Sequence, residues 1–321
     1  MRIGILLTDG HRLLSVAALL DVFETANRFY AEEGLPAPFA IDMLHLPEHK
    51  DIAFPGKNVV EAHPGSYYDL LLIPSFNHDG IGRSMQANNG WVPWLRDQYR
   101  EGAALASFCT GAFVLAATGL LDGKPATTHI NAESEFAKLF PNVLLQAEAV
   151  VTEKDRIYTS GGATNTFHLL MLLLEVYCSR KVAVKAAKVF SIDLDRNRQT
   201  YFGTFTPSQD HGDNLVKQAQ EEIKKKFSTA NTIEELITDV PASRRNLVRR
   251  FKQVTGITPI EYLQKTRIEA AKQMLEQSRH SILEVMLESG YNDLKTFRTL
   301  FKKTVGMTPK MYREKFSGQM V

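Results

Sequence analysis

The pattern of hydrophobic and polar positions divides the chain into two regions with different periodicities. In the first 190 residues, apolar runs at 2–7 and 69–73 predict buried strands, and residues 13–30 predict an amphipathic helix. A helix over 91–100 and a strand over 103–107 continue the alternation. Alternating strands and helices predict an α/β doubly wound domain, in which a parallel sheet is covered by helices on both faces. Ligands of such domains bind in a crevice at the carboxyl ends of the strands.

Residues 213–321 lack strand patterns and show one arrangement of two short helices twice. In the first copy an apolar face precedes a turn, and Ser243 is a good N-cap for a helix that runs to Phe251. In the second copy the turn contains Gly290, and a helix capped by Asn292 or Asp293 runs to Phe301. The apolar faces are formed by Ile233, Leu236 and Ile237 in the first copy and by Ile282, Val285 and Met286 in the second. The pattern predicts an all-α domain with two helix-turn-helix motifs, joined by a helix over 259–277.

An internal repeat at an offset of fifty residues supports this duplication. The first members are Phe251, Lys252, Gly256, Thr258, Pro259 and Tyr262, and the second members are Phe301, Lys302, Gly306, Thr308, Pro309 and Tyr312. Because one fixed offset includes a Gly and a Pro, chance agreement is a poor explanation. The repeat indicates two similar trihelical units.

The second helix of each motif carries polar side chains on the face opposite its apolar residues. In the first motif Leu247 and Phe251 point to the core, which leaves Arg245 and Arg249 on another face, flanked by Asn246 and Arg250. Arg and Asn are residue types that bind G and A edges in the major groove or hold phosphates. In the second motif the outward residues are Lys295 and Thr299, with Arg298 and Lys302 nearby. These faces predict binding to double-stranded DNA.

Charge is unevenly distributed along the chain. Residues 1–190 carry 16 Lys and Arg against 20 Asp and Glu, whereas residues 213–321 carry 20 against 13. The excess of Lys and Arg in residues 213–321 has two explanations that charge alone does not separate. The cations either neutralise the phosphates of a nucleic acid or belong to a solvated helical surface. Polar residues and helix breakers in 191–212 predict a linker between domains 1–190 and 213–321. Two cysteines, with no export signal and no membrane-spanning run, are typical of the reducing cytoplasm.

Residues 107–111, Ser-Phe-Cys-Thr-Gly, lie between a predicted strand and a helix over 112–117. Small residues two positions before and after Cys109 are what a sharp strand-to-helix turn requires, which is the arrangement of a nucleophile elbow. A helix N-terminus at such a turn lowers the pKa of a thiol and favours anions. The alternative is that Cys109 is simply a small buried side chain, which is the role we expect for Cys178.

The region from Thr232 to Phe316 resembles the DNA-binding domain of AraC/XylS-type bacterial regulators. The resemblance rests on Arg267, Ala271, Gly290, Tyr291, Phe297, Phe301, Lys302, Gly306, Thr308, Pro309, Tyr312 and Arg313. It implies that the two second helices enter successive major-groove segments on one DNA face. The base-facing positions it implies are Arg245, Val248 and Arg249 in the first helix and Leu294, Lys295 and Thr299 in the second.

Three departures qualify that resemblance. Ile237 and Met286 replace a usual small residue, and Pro241 replaces a usual Gly in the first turn. An Arg common in the second recognition helix stands at Arg298 and not at position 299. We therefore expect the first motif to contact bases more directly than the second.

The region from Ala106 to Leu170 resembles the DJ-1/PfpI branch of class I glutamine amidotransferase-like proteins, which have a flavodoxin-like fold. Four segments carry the resemblance: residues 109–111, 119–123, 126–129 and 159–162. Because this region is joined to an AraC-type domain, the resemblance implies that it senses small metabolites, often amino acids or amines, and that it mediates dimerisation. His129 could act as a base for Cys109 in an enzyme of this type.

Two substitutions at the expected pocket argue against turnover. The acidic residue usual after the first strand is replaced by Ser15, and a usual Gly-Gly is replaced by Ser75 and Phe76. No catalytic residue is therefore expected, with Cys109 and His129 as vestigial candidates. The residues predicted to bind a ligand are Ser75, Phe76, Cys109, Thr110 and His129.

These inferences predict a homodimeric transcription regulator that binds double-stranded DNA and a small-molecule effector, with RNA polymerase as a further candidate partner. No metal ion or cofactor is expected, because the sequence has no Cys/His spacing typical of metal ligands and no glycine-rich phosphate-binding motif. No membrane is expected, because no apolar run is long enough to span one. The alternative is a cysteine-dependent DJ-1/PfpI-type enzyme, an amidase-like hydrolase or isocyanide hydratase, with an autoregulatory DNA-binding domain.

Overall fold

The structure is a computed structural model, and the chain in it forms two units, Met1–Gln199 and Thr200–Val321. The described residues are 1–47, 54, 57, 59–77, 80–162, 164–194, 199, 203–205, 207, 211–230, 232, 235–236 and 240–317. The predicted linker bounds stay a prediction, because half of residues 191–212 lie outside this set. Ile233 and Ile237 of the first motif also lie outside it, whereas Leu236 is buried.

A parallel sheet forms the centre of the first unit. Its strands and those of a small second sheet are β1 Arg2–Leu6, β2 Ala40–His45, β3 Val59–Glu61, β4 Leu70–Ile73, β5 Ala104–Phe108, β6 Pro125–Ala126, β7 Leu144–Leu145, β8 Val151–Lys154 and β9 Ile157–Ser160. In the described part of the chain the main sheet has the order β3-β2-β1-β4-β5-β9-β8, and β8 alone pairs antiparallel with its neighbour. The carboxyl ends of β1, β4, β5 and β9 therefore share one edge.

Helices cover both faces of this sheet, as the alternating pattern predicted. They are α1 Leu13–Glu32, α2 Ile81–Ala87, α3 Trp91–Arg100, α4 Gly111–Ala117, α5 Glu133–Leu139, α6 Asn165–Tyr177 and α7 Arg180–Val189. Alternate strand residues enter different cores: Ile3 and Ile5 pack with α1, α6 and α7, whereas Leu6 packs with α3 and α4. The predicted α/β doubly wound fold is confirmed, and the predicted strand bounds differ from the observed ones by about one residue.

The second unit is helical in its described residues. Its helices are α8 Asn214–Lys226, α9 Arg244–Thr255, α10 Pro259–Gln277, α11 Ile282–Glu288, α12 Leu294–Val305 and α13 Pro309–Phe316. Helix α10 has the predicted bounds and contributes to two separate cores. Tyr262 and Leu263 pack with α8 and α9, whereas Ile268 and Ala271 pack with α11, α12 and α13. One helix therefore joins two cores of similar construction.

The fifty-residue repeat corresponds to recurring local structure. Gly256 and Gly306 adopt left-handed conformations, with φ of 79° and 89°, that end α9 and α12. Thr258 and Thr308 each cap the helix that follows, whose first residue is a proline. Phe251 and Phe301 are buried and pack edge-to-face on Tyr262 and Tyr312, with ring centroids 5.2 and 5.6 Å apart. The repeated residues other than the exposed Lys252 and Lys302 thus form the framework of each motif.

Candidate ligand site and nucleic-acid interface

Cys109 lies at the sharp turn between β5 and α4 that the small neighbouring residues predicted. Its φ of 56° is in the left-handed region, which costs a residue other than glycine about 1–3 kcal/mol. A Cβ on Gly111 would overlap the carbonyl oxygens of Ile73 and Pro74, so only glycine fits two positions after the cysteine. The backbone geometry is that of a nucleophile elbow.

The elbow is tied to its neighbours through the backbone of Cys109. The Cys109 N–H donates to the Ser160 carbonyl at 3.0 Å, and the Thr128 hydroxyl donates to the Cys109 carbonyl at 3.0 Å. The Cys109 side chain is 4% exposed. The lowered thiol pKa expected from the sequence stays a prediction.

The segment Ser75-Phe76 approaches the elbow from β4, and its backbone donors are already used. The Phe76 N–H donates to the Thr110 hydroxyl at 2.9 Å, and that hydroxyl donates to the Phe76 carbonyl at 2.7 Å. The Ser75 N–H donates to the Ser15 hydroxyl at 3.0 Å. An oxyanion hole needs preorganised donors that face the reacting atom. Both backbone donors of this segment instead serve internal contacts.

His129 follows Thr128 and caps a short 3₁₀ helix, Ile130–Ala132. Its Nδ1 accepts from the Asn131 N–H at 3.1 Å, so the neutral ring carries its proton on Nε2. A Cβ on Gly162 would overlap the imidazole, so this glycine lets the ring lie against the backbone after β9. The structure thus brings Ser75, Phe76, Cys109 and Thr110 together. It links the His129 segment to them through Thr128.

Three buried hydroxyls at the same sheet edge have no hydrogen-bond partner among the described residues. They are the Thr8 Oγ1 after β1, the Ser107 Oγ in β5 and the Ser160 Oγ at the end of β9. An unsatisfied buried polar group costs about 1–3 kcal/mol, and such groups therefore suit a polar ligand. Sequence reasoning did not single these hydroxyls out as ligand contacts.

Gln199 is a second feature that sequence reasoning missed, because it lies in the segment predicted to be a linker. Its side chain is 2% exposed and contacts the Thr127–Thr128 segment. A lone glutamine among polar residues carries no sequence signal of burial, since the contacts come from residues up to 72 positions away. Within the described residues, no group of three or more His, Cys, Asp or Glu could hold a metal ion.

The first recognition helix, α9, presents the predicted cationic face. Leu247 and Phe251 are fully buried, and Arg245 and Arg249 are exposed on another face. Asn246 is half-buried and accepts a weak hydrogen bond from Arg249 at 3.4 Å. Val248 is half-buried. The exposed arginines are free of ion pairs in the described residues.

Arg250 has a different environment from that of its neighbours. Its Nε donates to the Asp213 carboxylate at 2.8 Å, and Asp213 also caps α8 by accepting from Val216. This hydrogen bond with Arg250 lowers the pKa of Asp213 below its usual value. The contact joins α8 to α9, so Arg250 supports the helix in addition to any contact with DNA.

The second recognition helix, α12, exposes Lys295, Arg298 and Thr299. Leu294, a predicted base-facing position, is half-buried and packs on the core that contains Phe297, and its contact with bases stays a prediction. A leucine at the first position of the helix gains free energy from contact with that core. Asp293, and not Asn292, caps α12 through the Thr296 N–H.

Arg267 and Tyr291, two of the residues that carry the AraC/XylS resemblance, contact each other inside the second unit. The Arg267 guanidinium donates to the Phe227 and Ala230 carbonyls, and burial lowers its pKa. It also lies 5.5 Å from the ring centroid of Tyr291, and burial raises the pKa of that tyrosine to about 12.

No described helix is long and apolar enough to span a membrane.

Two family models match the chain. A DJ-1/PfpI family model matches residues 1–176, and a helix-turn-helix domain model matches residues 236–315. The first match covers most of the first unit and includes the elbow, and the second covers both recognition helices.

Several curated proteins are similar over most of their length. The HTH-type transcriptional regulator GbdR of Pseudomonas aeruginosa is 25% identical over 97% of this chain and 84% of its own. CdhR of the same organism, also an HTH-type transcriptional regulator, is 26% identical over 96% and 90%. The HTH-type transcriptional regulator ArgR, again from that organism, is 31% identical over 70% and 68%.

One solved structure has a fold similar to that of part of this chain. A crystal structure from Vibrio parahaemolyticus, provisionally described as that of a transcriptional regulator protein, superposes with a TM-score of 0.51 at 21% identity. The match covers 59% of this chain and 98% of that one, and at this identity the likeness concerns the fold.

Proposed function

We propose, from the premise that this chain belongs to the AraC-type helix-turn-helix transcription regulators with an N-terminal DJ-1/PfpI domain, that it is a homodimeric, sequence-specific DNA-binding regulator that responds to a small metabolite. The observation that carries the DNA-binding part is the exposed pair Arg245 and Arg249 on α9, opposite buried Leu247 and Phe251. A pair with this spacing can follow base edges or phosphates in one major-groove segment.

The proposal is tested with DNA from upstream of the protein's own gene. We expect specific binding in a mobility-shift assay at low salt and weaker binding as salt rises, since bound phosphates release counterions. Arg245→Ala and Arg249→Ala should each weaken specific binding by about 1–3 kcal/mol if the arginines contact bases. Arg100→Ala, which removes an exposed cation of the first unit, is the matched control.

The results distinguish base contacts from phosphate contacts. An equal loss on unrelated DNA would make Arg245 and Arg249 phosphate ligands. Equal affinity of wild type for upstream and unrelated DNA would argue against sequence-specific regulation. We expect the wild-type chain to be a dimer by light scattering.

The effector would bind at the carboxyl edge of the sheet, around Cys109 and the unsatisfied hydroxyls of Thr8, Ser107 and Ser160. Groups of this kind favour a small polar molecule, such as an amino acid or an amine, over an apolar one. A thermal-shift screen of amino acids and amines on the full chain tests this, because a ligand that binds the native state raises Tm. Loss of the shift in Ser107→Ala would support the location, and an unchanged shift would contradict it.

Binding without turnover is the role we propose for Cys109. The Ser75 and Phe76 N–H groups, which could have formed an oxyanion hole, donate to Ser15 and Thr110. A cysteine-dependent hydrolase or hydratase remains the alternative. Turnover of a substrate by the wild-type chain that disappears in Cys109→Ser would establish the enzyme. If the wild-type chain shows no turnover and still responds to the effector, the sensor is supported.

A further inference from the structure

The side chain of Gln199 fills a closed polar slot next to the candidate ligand site. Its Oε1 accepts from the Gly162 N–H at 3.0 Å and from the Asn165 Nδ2 at 2.8 Å. Its Nε2 donates to the Thr127 hydroxyl and to two carbonyls, those of Thr128 at 3.0 Å and Ala147 at 2.8 Å. The whole amide is therefore satisfied by protein groups.

The groups around this slot match one functional group, the primary carboxamide. Two donors face the oxygen, and three acceptors face the NH₂. A carboxylate would place an oxygen against the Thr128 and Ala147 carbonyls, and an ammonium would leave the Gly162 N–H without an acceptor. Reversing the Gln199 amide would likewise bring its NH₂ against the Gly162 N–H.

The slot contacts the elbow through Thr128 and holds the last residue of the first unit. Thr128, whose carbonyl binds Gln199, also donates its hydroxyl to the Cys109 carbonyl. A Cβ on Gly161 would overlap Gln199, so this glycine makes room for the amide. Gln199 is the last residue of the first unit, and its own N–H donates to the Glu148 carbonyl at 3.1 Å. The slot thus fastens the chain where it leaves that unit.

We propose that this slot is a primary-carboxamide binding site whose resident occupant is Gln199, and that a small molecule ending in a carboxamide occupies it when Gln199 leaves. This inference rests on the proposed function and goes beyond it, since it names a further ligand class and a site next to the one proposed for the effector. Exchange between Gln199 and such a ligand would release the chain segment that continues to the DNA-binding unit.

Chemical rescue in the full chain tests the slot. Gln199→Ala removes the carboxamide and leaves its donors and acceptors unpaired, which should lower Tm by about 5 to 10 °C. Acetamide, which replaces the missing group, should restore part of that loss. N,N-dimethylacetamide and acetate should not, because neither supplies the N–H donors. Gln86→Ala, at an exposed glutamine of the same unit, should show neither the loss nor the rescue.

Each outcome decides the proposal. Equal rescue by acetamide and N,N-dimethylacetamide, or an unchanged Tm in Gln199→Ala, would overturn it. If Gln199→Ala does not fold, Gln199→Glu keeps the shape and should have a lower Tm than Gln86→Glu. Equal values would overturn the carboxamide assignment.

DNA binding separates this inference from the proposed function. Gln199→Ala should change the affinity for upstream DNA at least about threefold, and acetamide should return it toward the wild-type value. If wild type binds DNA and acetamide has no effect on the variant, the slot proposal fails and the regulator proposal stands. If wild type does not bind DNA, the regulator proposal fails while the Tm rescue still tests the slot.

Discussion

The two helix-turn-helix motifs share a framework but differ at the surface that would contact DNA. Helix α9 exposes Arg245 and Arg249, and helix α12 exposes Lys295, Arg298 and Thr299. Apart from the exposed pair Lys252 and Lys302, the identical residues of the repeat lie at helix ends and in the cores, where geometry and packing restrict the choice. The exposed positions are not so restricted. The repeated residues thus support both motifs, whereas the two recognition surfaces differ.

The partners of equivalent positions show the same difference. Arg250 of α9 pairs with Asp213 of α8, whereas its counterpart fifty residues later, Leu300, packs against the second core. One position therefore contributes an ion pair in the first motif and apolar contact in the second. Similar backbones do not imply similar roles for every side chain.

Loss of a framework aromatic should have the largest effect and should be similar in the two motifs. Phe251→Ala and Phe301→Ala each empty a fully buried site beside a tyrosine ring, which should cost about 3–5 kcal/mol of unfolding free energy. Denaturant unfolding of the full chain measures this. Leu283→Ala, at an exposed leucine of α11, is the control and should change stability by less than about 0.5 kcal/mol. If one phenylalanine variant were as stable as this control, the two phenylalanines would not contribute equally to the stability of their motifs.

Exposed recognition residues should separate the motifs. We expect Arg245→Ala and Arg249→Ala to reduce specific DNA affinity by about 1–3 kcal/mol each, and Lys295→Ala and Thr299→Ala by less than about 1 kcal/mol. Fluorescence anisotropy with upstream and unrelated DNA measures the difference. Larger losses at Lys295 than at Arg245 would reverse the ranking of the two motifs.

The Asp213–Arg250 contact should make the loss of a helix cap more costly to stability in the first motif than in the second. Asp213→Ala removes the cap of α8 and the partner of Arg250, which should cost about 1 kcal/mol at neutral pH. Asp293→Ala, which removes the cap of α12 and no described ion pair, should cost less. Thermal unfolding of both variants makes the comparison.

The contribution of Asp213 should also depend on pH. Its pKa is lowered in the folded state, so its stabilising effect is present above the unfolded value of about 4 and is lost as pH falls through the folded value. The Tm difference between wild type and Asp213→Ala should therefore be constant from about pH 5 to 8 and shrink below about pH 4. A difference that grows on acidification would contradict the ion pair.

The smallest expected effect concerns a capping box that the first copy of the repeat has and the second copy lacks at the equivalent positions. Thr258 and Glu261 cap α10 reciprocally, whereas Met311 occupies the position equivalent to Glu261 in α13. Met311→Glu should complete the second box and stabilise the chain by about 0.3–0.5 kcal/mol, or about 1 °C in Tm. Met311→Ala controls for loss of the exposed methionine. Equal Tm values for the two variants would show that the box adds nothing here.

Local chemistry in the sequence was sufficient for most of the framework. The sequence predicted the start of α10 at Pro259. It ended the two recognition helices at Phe251 and Phe301, however, whereas they continue to Thr255 and Val305, where left-handed glycines end them. Small residues around Cys109 predicted the elbow, because steric limits at a sharp turn are local. Hydrophobic periodicity likewise predicted the sheet covered on both faces and the joining helix α10.

Tertiary structure alone decided which polar groups are paired and which are left unpaired. Contacts from Gln199 to Thr127, from Phe76 to Thr110 and from Arg250 to Asp213 join residues 34 to 72 positions apart. Half-burial of Leu294 depends in the same way on a core assembled from several helices. No local pattern encodes such pairings, because a hydrogen bond depends on where two distant segments meet. The sequence by itself therefore determined the two-domain architecture and the elbow, and folding decided the carboxamide slot beside it.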